Sequence, residues 1–179
     1  MKLLTKFVFK TILGWKVVGS FPKDVKKYVL IGAPHTHWKD FFLGLAIKWG
    51  EKVPANYIAK ASLFKPPFGF ILKWLGGVPI DRSKSDNKVQ SIIEMFNARE
   101  QFILAISPEG TRQKVTKWKT GFYYIAKGAD VPIVMMTFNF KDKEVKISEP
   151  YYTTDNMEED FNIFYKFYEG VIGKIPKYS

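Results

Sequence analysis

Short, wholly apolar runs alternate along this chain with longer segments whose apolar residues recur every three or four positions, and that alternation limits the fold class before any single residue is weighed. Tyr28-Val29-Leu30-Ile31-Gly32-Ala33 and Phe102-Ile103-Leu104-Ala105-Ile106 are too short for helices. They also lack the polar alternation of a half-exposed strand, so they read as strands covered on both faces. The pattern predicts strands over 28–33, 56–60, 78–80, 102–106, 132–138 and 143–148, with helices over 38–49, 68–75, 86–100, 119–128 and 157–172. Such a series implies an α/β fold, a largely parallel or mixed sheet flanked by helices. Ligands of open sheets in this class bind beyond the carboxyl ends of the strands. Three loops at such ends carry chemically useful side chains, 34–40, 76–82 and 107–112.

At 179 residues and 46% apolar composition the chain fits one domain with a real core, burying roughly 70% of its extended surface. Cysteine is absent and only two histidines occur, so disulfides and thiolate metal sites are excluded and no metal is expected. The net charge of +11 is unevenly placed: residues 1–75 hold 13 lysines against Asp24, Asp40 and Glu51, whereas the remainder is nearly balanced. That asymmetry suits an anionic partner, either a membrane surface or nucleic acid. Within residues 1–20, Lys2, Lys6 and Lys10 recur every fourth position while Leu3, Leu4, Phe7, Val8, Ile12, Trp15 and Val18 cover the remaining circumference. The expectation is an amphipathic helix lying in a membrane interface over 1–20, ahead of a catalytic domain over 21–179. The longest uncharged run is 11 residues, Tyr28 to Trp38, well short of a membrane span, and no secretory signal pattern opens the chain.

Both histidines fall in the loop after the first apolar run, Pro34-His35-Thr36-His37-Trp38-Lys39-Asp40. With Thr36 as helix N-cap, His35 and Asp40 occupy the two positions whose side chains meet across a helix N-terminus. A histidine whose ring is oriented by a carboxylate at the mouth of a sheet is a candidate general base. The alternative is a capping histidine without chemistry. Arginine usage adds a second signal, since 25 lysines accompany only Arg82, Arg99 and Arg112, and two of those three end the other loaded loops. A planar fork there suits bidentate capture of phosphate or carboxylate; a pair of structural salt bridges is the competing explanation.

Taken in order, these blocks resemble the glycerolipid acyltransferase family, which includes the 1-acylglycerol-3-phosphate acyltransferases. His35 to Asp40 is similar to its His-x4-Asp block, Val78-Pro79-Ile80-Asp81-Arg82 to the second block, Pro108-Glu109-Gly110-Thr111-Arg112 to the third, and Val131-Pro132-Ile133-Val134 to the proline-containing fourth. Ala59-Lys60-Ala61-Ser62-Leu63-Phe64 resembles the segment before the second block, so the likeness covers about residues 28–138. Pro34, His37 and Ser107 depart from the residues usual at their positions in the family.

The resemblance implies catalysis by His35 and Asp40, with His35 deprotonating an acceptor hydroxyl or amine that attacks an acyl thioester directly. It places acceptor binding at Arg82, Glu109, Gly110, Thr111 and Arg112, and makes Lys60 a candidate contact for the oxyanion or the acyl donor. It implies no bound cofactor, acyl-CoA or acyl-acyl carrier protein as donor substrate, and a lysophospholipid such as 1-acylglycerol 3-phosphate as acceptor, a lysoaminolipid being the near alternative. Membrane lipids and an acyl carrier protein are the expected partners, nucleic acid is not, and the expected place is the cytoplasmic face of the cell membrane. The aromatic segment Phe64, Phe68, Phe70, Ile71, Leu72, Trp74 and Leu75 is read as core, acyl channel or lipid contact. A non-catalytic membrane scaffold and a nucleic-acid binder are the competing functions. Either would leave an acyl thioester intact.

Overall fold

The computed structural model describes residues 14–67, 69–80 and 88–179. Five strands, β2 (Lys27–Ala33), β3 (Ala55–Lys60), β4 (Gly77–Ile80), β5 (Phe102–Ile106) and β6 (Ile133–Thr137), form one sheet in the order β4-β3-β5-β2-β6. All four pairings in it are parallel. The central position of β2 and β5 explains their uninterrupted apolar runs, because each is covered by helices above and below. Successive side chains of β2 go to opposite faces: Val29 and Ile31 to one core, Tyr28 and Leu30 to the other.

The first face carries α3 (Lys88–Asn97), α4 (Gly121–Gly128) and α5 (Met157–Tyr168), whose Ile92, Phe96, Phe122, Ile125 and Phe164 pack on Val29, Phe102, Leu104 and Ile133. The second face carries α1 (Lys39–Glu51), which contributes Leu43 and Ile47 beside Trp15, Phe21 and Phe138. A short α2 (Gly69–Trp74) follows a 3-10 turn over Ala61–Phe64. Asp160 on α5, fully buried, accepts from the hydroxyls of Tyr123 and Tyr151 and from Thr154, pinning that helix to the body.

Connections reverse between β2 and β5. The chain leaves β2 toward α1 on one face and leaves β5 toward α4 on the other, opening a crevice at the carboxyl edge where ligands of such sheets bind.

Most expected elements stand within two or three residues of their predicted bounds, and the deviations have local causes. Helix α4 starts at Gly121 because the Lys119 N–H is bonded to the Pro108 carbonyl. Helix α5 stops at Tyr168, and Gly170, at φ +74°, sits in the left-handed region just beyond its end. The larger correction concerns the amphipathic helix expected over residues 1–20. Lys16–Val18 is a strand, β1, paired in parallel with β7 (Glu144–Lys146), where the helix was expected. Gly14 and Gly19 flank it at φ +68° and +82°, and a β-carbon on Gly19 would collide with the Ile147 carbonyl, so the chain turns at both ends. Trp15, expected in a membrane interface, is 8% exposed and packs edge-on against Phe140 at 4.9 Å. Residues 1–13, the remainder of that expected helix, lie outside the described residues, as do Asp81 and Arg82. Among the described residues no helix is long and apolar enough to cross a membrane.

Candidate active site

Strand β2 ends at Ala33 and α1 begins at Lys39, leaving His35 to His37 in the intervening loop. Thr36, expected as the N-cap, is not one; Trp38 holds that position and makes no side-chain cap. The first N–H of the helix itself, on Lys39, is accepted by His37 Nδ1 at 3.1 Å, while Asp40 serves the loop ahead of the helix. Asp40, 2% exposed, turns its carboxylate back so that Oδ2 accepts the N–H of Thr36 at 2.9 Å and of His37 at 2.8 Å. The same oxygen takes His35 Nδ1 at 3.0 Å. The loop therefore folds around Asp40, and the pairing of His35 with Asp40 emerges as one carboxylate oxygen gathers the loop's backbone donors and the His35 ring. A proton on Nδ1 facing this carboxylate leaves Nε2 as the basic nitrogen, turned outward. The Thr36 hydroxyl faces the other way and accepts the Ile175 N–H at 3.1 Å.

The loop after β5 meets this one from the neighbouring strand. Glu109 is 7% exposed, and its Oε2 accepts the His35 N–H at 2.7 Å and the Ser107 hydroxyl at 3.2 Å. Burial holds its carboxyl above the ordinary range, partly countered by those two bonds. Glu109, expected on the acceptor side, is bonded to both loops and holds the His35 backbone in place. Gly110 adopts φ +63°, and a β-carbon there would press on the Lys119 side chain at 2.8 Å; the glycine serves the turn and its neighbour. Thr111 and Arg112 are exposed on the rim. Arg112 Nε donates to His35 Nε2 across a long 3.4 Å, so the guanidinium stands where an acceptor would approach the base. Lys60, at the end of β3, is exposed at the same edge.

Beneath His35 a cavity of about 350 Å³ runs between α1 and the sheet. Its mouth is formed by His35, Asp40, Ser107 and Arg112, and its walls by Leu30, Gly32, Gly44, Ile47, Ala105 and Met136. Lys48 lies toward its far end, donating from Nζ to the carbonyls of Ala55 at 2.7 Å and Leu75 at 2.9 Å; burial lowers its pKa. This chamber was not foreseen where it is. Of the aromatic segment read as core, acyl channel or lipid contact, Leu75 alone among the described residues lines it, whereas Phe70 and Trp74 are 70% and 68% exposed.

An oriented histidine over an apolar chamber, beside an arginine-bearing loop, suits transfer of an acyl group. The acyltransferase family model matches residues 16–139, more than half of the chain. The chain belongs to the acyltransferase family. This acyltransferase also aligns with the crystal structure of the 1-acyl-sn-glycerophosphate (LPA) acyltransferase PlsC from Thermotoga maritima, at a TM-score of 0.62 and 23% identity, over 93% of the present chain and 74% of that one. At that identity the likeness establishes the shared fold. Comparison with curated protein sequences gives no match. Within the acyltransferase, the structure brings together His35, Asp40, Glu109 and Arg112, leaves Lys60 and Thr111 on the rim, and shows no cluster of metal-ligating side chains among the described residues. The place of Ser107 as a partner of Glu109 was missed in the sequence. Ser107 stood out only as a polar residue before Pro108.

Proposed function

We propose that the acyltransferase moves a fatty acyl group from an acyl thioester, acyl-CoA or acyl-acyl carrier protein, to the free hydroxyl of a lysophospholipid such as 1-acylglycerol 3-phosphate, working at the cytoplasmic surface of the cell membrane. The observation that carries this reading is the placement of His35 Nε2 at the mouth of the apolar cavity with Arg112 beside it. An acyl chain laid in the cavity puts its thioester carbonyl at the mouth, within reach of a hydroxyl held against His35. As the hydroxyl oxygen bonds to the carbonyl carbon, His35 Nε2 takes its proton, and Asp40 stabilises the imidazolium through Nδ1–H. Collapse of the tetrahedral species breaks the carbon–sulfur bond, and the departing thiolate recovers the proton from Nε2. Arg112, and Arg82 beyond the described residues, suit the acceptor's phosphate through their planar forks. The basic N-terminal half supports work on anionic lipid, with membrane lipids and an acidic carrier protein as partners.

Release of free thiol from acyl thioesters across a panel of lysolipids, with product mass recorded, tests this directly. Turnover with 1-acylglycerol 3-phosphate is expected to fall at least about 100-fold in His35→Ala, with folding retained. Near-normal turnover in that variant would remove His35 from the chemistry. Preference for an amine-bearing lysolipid over the phosphate monoester would move the acceptor to the lysoaminolipid class.

A further inference from the structure

On α1, Trp38, Phe42 and Trp49 fall within roughly 40° of one another around the helix axis, on one outward stripe. Trp38 and Phe42 are 52% and 57% exposed and meet edge-on at 5.6 Å. Trp49 joins this stripe to α2 through Trp74, ring centroids 5.7 Å apart, and Phe70 shares the exposed side of α2 one turn earlier. Leu63, 55% exposed on the turn before α2, extends the surface toward the carboxyl edge of the sheet. Apolar side chains of this size are seldom left together on a monomer without an occupant. The charge beside them is mostly positive: Lys39, Lys52, Lys65 and Lys73 lie next to the aromatics in sequence, Glu51 at the end of α1 is the acidic exception besides the buried Asp40, and no acidic residue occurs from Lys52 to Ile80.

We infer that this aromatic face of α1 and α2 is the surface with which the enzyme sits on an anionic bilayer. Rings with apolar bodies enter the headgroup boundary while lysines on long stems reach the phosphates. A protein partner would need acidic groups to match the lysines and an apolar face of its own, whereas an anionic bilayer offers both over any area. The face begins at Trp38, two residues before Asp40, so docking by it would bring the mouth of the cavity to the bilayer surface. The inference rests on the lipid-acceptor reading above, but binding is measured without substrate, so the two can fail separately.

The test uses the full chain with vesicles of phosphatidylglycerol in phosphatidylcholine, and of phosphatidylcholine alone, at physiological salt. Sedimentation with anionic vesicles is expected to weaken at least about 10-fold in the double variant Phe70→Ser/Trp74→Ser, with thermal unfolding unchanged because both side chains are exposed. Quenching of tryptophan emission by brominated lipid should also drop in the conservative Trp74→Phe variant, which covers the case of a misfolded double variant. Undiminished binding and quenching in these variants overturn the inference. So does loss of vesicle binding on deleting residues 1–13 while Phe70→Ser/Trp74→Ser still binds fully, which would assign the anchor to that segment. Concentration-dependent self-association of the wild type, abolished by the double variant and without vesicle binding, would make a second copy the occupant instead.

Discussion

The two faces of the central sheet are built from the same strands and filled in opposite ways. On the α3–α4–α5 side, Phe96 stacks edge-on against Phe102 at 4.8 Å, and Phe122 and Phe164 lie 5.9 Å apart, so that aromatic rings occupy the space between layers. On the α1 side the strands and helix present Gly32, Gly44, Ala55 and Ala105, and a cavity of about 350 Å³ remains. Interiors pack to crystal density wherever nothing prevents it, so a persistent hollow reflects residues too small to fill it. One face is filled throughout, and the other, with its own core around Trp15, Leu43 and Phe138, leaves an open chamber under His35.

Filling and emptying the two faces should therefore have opposite consequences. Phe96 is fully buried, and Phe96→Ala would leave a void that its aromatic neighbours cannot close. The expected cost is about 3–5 kcal/mol of unfolding free energy in urea, with the chain-length preference of the surviving folded enzyme unchanged. A loss under about 1 kcal/mol would show that the packed face does not contribute the stability expected of it. On the hollow face, an added β-carbon at Gly44 meets no atom within 4 Å. Gly44→Leu should then fold at least as well as the wild type, gaining up to about 1 kcal/mol from helix propensity. Turnover of long-chain thioesters should nevertheless fall about 10-fold relative to short-chain ones, because the leucine occupies the chamber. Equal loss at every chain length, or none, would mean that the acyl chain lies elsewhere.

The packed face was open to reading from the sequence and the hollow one was not. Strands β2 and β5 announced themselves because burial on both faces demands apolar residues at every position. Pro34, Gly76 and Gly110 marked where the loaded loops begin or turn. The pairing of His35 with Asp40 was readable for a related reason, since a helix start confines its neighbours to a few arrangements. A cavity is defined by side chains that are missing, contributed here by β2, α1, β3 and β5 together, and no local pattern records it. Strand β1 misled for a different reason. The lysines at every fourth position before it continue a helical rhythm up to Lys10, whereas its actual partner, β7, lies more than 120 residues later. Gly14 and Gly19 were the available warning. The inward turn of Glu109 was hidden because a carboxylate three residues before an arginine suggests an ion pair, whereas here burial and the His35 N–H draw it under the loop.

The smallest expected effect concerns that carboxylate, at the boundary between the hollow face and the solvent rim. Burial raises Glu109 above its unfolded value of 4.5, so the folded state holds the proton more tightly than the unfolded chain does. With more protons bound in the native state, stability falls as pH rises from about 4.5 through the raised native value, and is level above it. Glu109→Gln cannot titrate, yet its amide oxygen still accepts the His35 N–H. The stability difference between variant and wild type should therefore shift in favour of the variant over that window and then hold constant. Turnover should drop only about threefold, the difference between a charged and a neutral acceptor on one hydrogen bond. Parallel stability curves would show that Glu109 is not desolvated. A loss of turnover as large as that expected for His35→Ala would instead put its charge in contact with the acceptor, the role that the resemblance implies.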